Sequence, residues 1–131
     1  MDEIRVPITS DQDVVAARQK GRALAMKLEF SSSESTLIAT AISELARNIV
    51  SYAQNGEIRI IPQNSGRPGI VIVASDEGPG IEDIRQAMRD GFSTSGSLGL
   101  GLPGVRRLMD EFEIASERGK GTTVVAKKWK P

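Results

Sequence analysis

Between residues 37 and 50, Leu37, Ile38, Ala41, Ile42, Leu45, Ile49 and Val50 recur at intervals of one, three and four. No strand puts such a set on one side, because strand neighbours alternate between faces. The stripe therefore demands a long amphipathic helix and a second apolar surface to cover it. The surrounding sequence supplies that surface. Runs 57–61 and 69–74 are β-like and are separated by the polar turn Asn64-Ser65-Gly66-Arg67-Pro68, so they should pair as a hairpin. Residues 111–116 and 122–129 form a second pair of runs around Arg118-Gly119-Lys120-Gly121. Ile4, Val6 and Ile8 alternate with polar positions, and Pro7 assigns that short strand to a sheet edge.

Helix signals fill the gaps. Ser10 with Asp13 three later resembles a capping box, and Val14, Val15, Ala17, Leu24, Ala25 and Leu28 follow at helical spacing, with Gly21 marking close packing or a break. The Ser31-Ser32-Ser33-Glu34 run caps the long helix, which Gln54-Asn55-Gly56 ends. A weaker helix is expected over 82–90, and another from Pro103 to about residue 110. Helices interleaved with hairpins place the chain in the α/β (α+β) class. With 131 residues and no linker or repeat, one domain spanning 1–131 is expected.

Composition excludes several chemistries. There is no cysteine and no histidine, so the usual zinc, haem and iron–sulfur ligand sets, a cysteine nucleophile and a histidine base are all missing. Acid–base work falls to carboxylates, lysine or tyrosine. Seventeen Lys plus Arg balance seventeen Asp plus Glu, without the basic excess of a nucleic-acid binder, and 4% aromatics cannot build a base-stacking platform. The Met1-Asp2-Glu3 start has no basic and apolar leader pattern, and no apolar run nears the ~18 residues that span a bilayer, so a soluble cytoplasmic protein is expected.

Four motifs carry candidate chemistry. Glu44 and Asn48, four apart, share one face of the long helix, although most such polar pairs are simply solvated. Asp76-Glu77-Gly78-Pro79-Gly80 leaves an apolar strand. It reads as an ordinary turn, or as a place where backbone approaches a flat ligand while Asp76 accepts from an exocyclic amine, favouring adenine over guanine. Gly99-Leu100-Gly101-Leu102-Pro103-Gly104 opens a helix and offers backbone N–H groups to a phosphate chain, but it fits neither the P-loop nor the Rossmann fingerprint. Upstream, Gly91-Phe92-Ser93-Thr94-Ser95-Gly96-Ser97 has the composition of a lid, over 93–97, or of a connector. Gly121-Thr122 opens the last strand, where a β-branched residue needs no special reason.

In chain order, Glu44-x-x-x-Asn48, Asp76-x-Gly78-x-Gly80, Gly99-x-Gly101 and Gly121-Thr122 resemble the N, G1, G2 and GT boxes of the Bergerat-fold (GHKL) ATP-binding family, which includes gyrase-type ATPases, histidine-kinase catalytic domains and anti-sigma-factor kinases. The compact length is similar to the serine/threonine kinases of partner-switching systems. The runs Gly91-Phe92-Ser93-Thr94, Leu98 to Val105 and Arg107-Leu108-Met109-Asp110-Glu111-Phe112 are similar to the stressosome switch kinases among them.

The resemblance implies the Bergerat fold, an α/β (α+β) two-layer sandwich with a mixed, mostly antiparallel sheet of four or five strands covered on one face by three helices, and ATP and Mg2+ as cofactors. It implies that Asp76 binds the adenine amino group with Thr122 assisting, that Gly78 and Gly80 shape the adenine pocket, and that Gly99, Gly101, Leu102 and Gly104 hold the phosphates. It further implies Asn48 as the Mg2+ ligand, and Glu44 as general base or orienting acceptor. The implied partners are STAS-domain scaffold or antagonist proteins as phosphorylation substrates and an RsbU-like serine phosphatase, with no nucleic acid and no membrane. Alternatives within the resemblance are an anti-sigma factor that phosphorylates its antagonist, a nucleotide-gated binding module, and a catalytic domain excised from a histidine kinase. Arg47 and the arginines at 85, 89, 106 and 107 receive no role. No conventional catalytic lysine or arginine finger stands out.

Overall fold

The computed structural model describes residues 2–64, 66–78, 101–117 and 119–131, the side chain of Glu117 excepted. The helix expected over 82–90, the 93–97 loop, Gly80 and Gly99 lie outside the described residues. The elements are β1 (Ile4–Ile8), α1 (Asp11–Lys27), α2 (Ser32–Asn48), a π-helical turn (Ile49–Ala53), β2 (Gly56–Gln63), β3 (Gly69–Asp76), α3 (Gly101–Leu108), β4 (Glu111–Glu117) and β5 (Gly121–Trp129).

The five strands form one sheet in the order β1-β2-β3-β5-β4, and all four pairings are antiparallel. The expected hairpins are present as β2–β3 and β4–β5, and Pro7 lies on an edge strand as its missing N–H requires. β5 returns from the β4 edge to pair with β3. That return sets Thr122 opposite Asp76.

Strand alternation gives the sheet one buried face. Val6, Ile8, Ile58, Ile60, Ile70, Ile72, Ala74, Val124 and Ala126 are buried on it, against Ile38, Ile42 and Leu45 of the α2 stripe and Val105 of α3. The core is aliphatic, as the aromatic-poor composition requires. Gly21 marks close packing and not a break: a Cβ there would lie 2.1 Å from Ile42 Cδ1, so α1 approaches α2 through the missing side chain.

The two helix starts differ. Ser31 caps α2 with a full capping box, accepting from the Glu34 N–H at 3.0 Å while the Glu34 carboxylate accepts from the Ser31 N–H. At α1 the Ser10 side chain makes no such cap. Asp13 Oδ2 instead accepts from the N–H and hydroxyl of Thr9, both at 2.9 Å, and from the Ser10 hydroxyl at 3.4 Å. These bonds hold the Asp13 carboxyl below its ordinary value, the Thr9 N–H contributing most.

The long helix departs from the α-pattern at its end. After Asn48 the backbone widens into the π-helical turn and closes at Gln54, whose φ is +71°. α3 already includes Gly101 and Leu102, ahead of the start that Pro103 suggested. At its other end Lys128 Nζ donates to the Leu108 carbonyl at 3.1 Å, a cation at a helix C-terminus. No helix among the described residues is long and apolar enough to cross a membrane.

Candidate functional site

Asp76 ends β3 in the middle of the sheet, between Gly56 of β2 and Thr122 of β5. Its Oδ1 accepts from the Gly78 N–H at 2.9 Å, an Asx turn that leads the chain off the strand. The backbone beneath it is tightly packed. Gly121 has φ +94°, and a Cβ there would sit 2.1 Å from the Asp76 carbonyl oxygen, so both conformation and space require glycine. A Cβ on Gly78 would fall 2.5 Å from Ala53 Cβ, which places the G1-like turn against the last residue of the π-helical turn. Thr122 Oγ1 shares a hydrogen bond with Ser116 Oγ at 2.8 Å and is half-buried. Asp76, Gly78 and Thr122 thus stand together at one end of the sheet.

Glu44 and Asn48 approach that end from the helix layer. Glu44 is 2% exposed, one of the few buried polar side chains among the described residues. Its Oε1 accepts from Arg47 Nη1 at 3.2 Å and its Oε2 from the Gly101 N–H at 3.2 Å. The expected solvated face is not what Glu44 occupies: the carboxylate joins α2 to the first residue of α3. Asn48, half-buried, is the last α-helical residue before the π-helical turn. Ile49, next in the chain, reaches the Gly56–Asp76 pair, since a Cβ on Gly56 would meet Ile49 Cγ2 at 2.8 Å and Asp76 Cβ at 3.0 Å. The π-helical turn is therefore the piece that brings the helix motif and the strand motif to one place. Such turns often interrupt helices at functional positions.

α3 contributes the third part. Gly101 has φ +53°, Leu102 is 7% exposed, and Gly104 is buried. Gly101 is committed to Glu44 through its N–H, and the apolar side of α3 packs on α2. Of the expected site residues, Glu44, Asn48, Asp76, Gly78, Gly101, Leu102, Gly104 and Thr122 lie among the described residues, while Gly80 and Gly99 lie outside them.

Three structural contributors received no role of their own in the sequence, although Gly121 stood in the GT-like motif and Arg47 was named among the arginines. Gly56 and Gly121 pack beneath Asp76, and Arg47 pairs with Glu44. The i,i+3 spacing of Glu44 and Arg47 was a usable signal. For Gly56 and Gly121 the reason is a cross-strand register, which no local pattern reports.

The family model described as the histidine kinase-like ATPase domain matches residues 8–128, nearly the whole chain. The chain belongs to the histidine kinase-like ATPase domain family. Membership makes it an ATP-using domain of the kinase-like type, and the four boxes named above fall inside the matched span. The chain is 54% identical over 129 residues to the serine/threonine-protein kinase RsbT of Bacillus subtilis (strain 168), covering 98% of this chain and 97% of that protein. It is 35% identical over 122 residues to an anti-sigma F factor of Thermoanaerobacter sp. (strain X514), covering 89% and 85%. A third relative, the anti-sigma F factor of Geobacillus stearothermophilus, is 35% identical over 118 residues, covering 86% and 81%.

Proposed function

We propose that this protein is a cytoplasmic, single-domain, ATP- and Mg2+-dependent serine/threonine-protein kinase of a partner-switching system. It transfers phosphate to STAS-domain scaffold or antagonist proteins, and its release then activates an RsbU-like serine phosphatase. The observation that carries the reading is the similarity to a serine/threonine-protein kinase across almost the full length of both chains, together with the buried Glu44 carboxylate at the start of α3.

In this reading Asp76 accepts from the adenine amino group. The Gly78 N–H orients the carboxylate through Oδ1, and a carboxylate keeps acceptor capacity beyond one bond. Thr122, opposite Asp76, assists from β5. Gly78 and Gly80 border the base, and the backbone of Gly99, Leu102 and Gly104 faces the phosphates, while Gly101, whose N–H is given to Glu44, shapes the turn beside them. Asn48 suits magnesium through a hard amide oxygen beside the Glu44 position. Magnesium would neutralise charge on the β- and γ-phosphates.

The acceptor hydroxyl of the partner attacks the γ-phosphorus, forming an O–P bond as the bond to the β-bridging oxygen breaks and ADP leaves. Glu44 orients that hydroxyl and takes its proton. Incubation with γ-labelled ATP, magnesium and a STAS-domain acceptor should label serine or threonine of the acceptor, and Glu44→Ala or Asn48→Ala should abolish the label. An unlabelled acceptor, with ATP shown to bind, would sink the kinase reading. The 35% identity to anti-sigma F factors keeps a second reading in view, in which the partner is a sigma factor and the substrate its antagonist. Retention of a sigma factor, instead of a phosphatase, by the purified protein would select it.

A further inference from the structure

Arg47 had no function in the sequence, yet the structure sets it against the buried carboxylate of Glu44. Glu44 is held from two directions, Oε1 by Arg47 Nη1 and Oε2 by the Gly101 N–H, each at 3.2 Å. A carboxylate withdrawn from water needs a counter-charge as well as hydrogen bonds. Gly101 supplies a donor without charge. Arg47, one turn further along α2, supplies the charge. Its own side chain is 43% exposed, so its removal opens no hole in the core.

We propose that Arg47 is a positioning residue for the phosphotransfer inferred above: it holds Glu44 through Oε1 so that Oε2 stays on the start of α3, keeping the carboxylate aligned beside Asn48. The inference rests on the kinase reading. Arg47 acts through Glu44, which separates it from an arginine that binds phosphate directly. A phosphate-binding arginine would lower ATP affinity when removed, whereas a positioning arginine would lower turnover with affinity kept.

The full chain, with ATP, magnesium and a STAS-domain acceptor, distinguishes these cases. Arg47→Met should lower kcat by about tenfold or more while leaving KM for ATP and the calorimetric ATP affinity within about threefold. Combined with Glu44→Gln it should cause no further loss, because a residue that acts only through another is non-additive with it. Amide exchange at Gly101, read by NMR without turnover, should accelerate in Arg47→Met. Wild-type kcat in Arg47→Met, a loss that adds fully to that of Glu44→Gln, a collapse of ATP affinity, or unchanged exchange at Gly101 would overturn the proposal. Glu44→Gln turning over at the wild-type rate would instead remove the parent assignment of Glu44, and the Gly101 exchange would still decide whether Arg47 places that side chain.

Discussion

Asp76 is the residue on which nucleotide choice should turn. It sits at a strand end with its backbone clamped by Gly121 and one oxygen fixed by Gly78, so its side chain has little freedom to be replaced by a neighbour. Asp76→Asn keeps the shape and removes the charge, leaving an amide able to present a donor where an acceptor is needed. Loss of a charge-assisted hydrogen bond is worth about 1.5–3 kcal/mol, so ATP affinity measured by calorimetry should fall roughly 10- to 100-fold. Unchanged affinity would take Asp76 out of the adenine role. Far from this site, Glu3 links β1 to its neighbour β2 by accepting from Arg59 Nε at 2.8 Å and Arg5 Nε at 2.9 Å. The Arg59 hydrogen bond, then that of Arg5, holds the Glu3 carboxyl below its ordinary value of 4.5. A lowered folded-state value stabilises the fold above the unfolded value and ceases to do so as pH falls through the lowered one. The urea midpoint of wild type should therefore exceed that of Glu3→Gln at neutral pH, hold that margin down to about 4.5, and lose it at lower pH. A margin that grows on acidification would contradict the sign.

At the level of elements, the turn before β5 separates two costs that glycine hides. Gly119 and Gly121 both have positive φ, but a Cβ on Gly119 meets nothing within 4 Å while one on Gly121 meets the Asp76 carbonyl. Gly119→Ala should cost roughly 1–2 kcal/mol for its backbone conformation alone, and Gly121→Ala about 1–3 kcal/mol more for the clash, read from denaturant midpoints. Equal losses would mean that β3 and β5 part easily at Asp76. The elements themselves were largely legible. The stripe from Leu37 to Val50 gave α2, turn residues gave both hairpins, and Ser31 with Glu34 gave a cap that the structure contains in full. The π-helical turn was not legible, because Ile49 and Val50 continue the apolar period and nothing local marks the widening after Asn48. The second cap differed for a chemical reason: Asp13 reaches back to Thr9, and the Ser10 hydroxyl donates where a cap would accept.

For the whole molecule, strand order does what no single motif can. Returning β5 between β3 and β4 sets Thr122 against Asp76, and the π-helical turn sets Ile49 and Ala53 against the same strand end. Thr122 and Asp76, far apart in sequence, become neighbours through register, which is non-local and so invisible to periodicity. What the sequence did carry was the order of the boxes, a pattern of residue types whose meaning comes from the family and not from local physics. The balanced charge, seventeen against seventeen, suits a protein whose partners are other proteins. The central claim joins Glu44 to phosphotransfer, and single-turnover transfer from labelled ATP to a STAS-domain acceptor, at nucleotide concentrations that calorimetry shows to be saturating for both proteins, tests it most directly. Glu44→Ala should bind ATP and transfer at least about 100-fold more slowly than wild type, the scale of a lost general base; transfer at the wild-type rate would contradict the assignment.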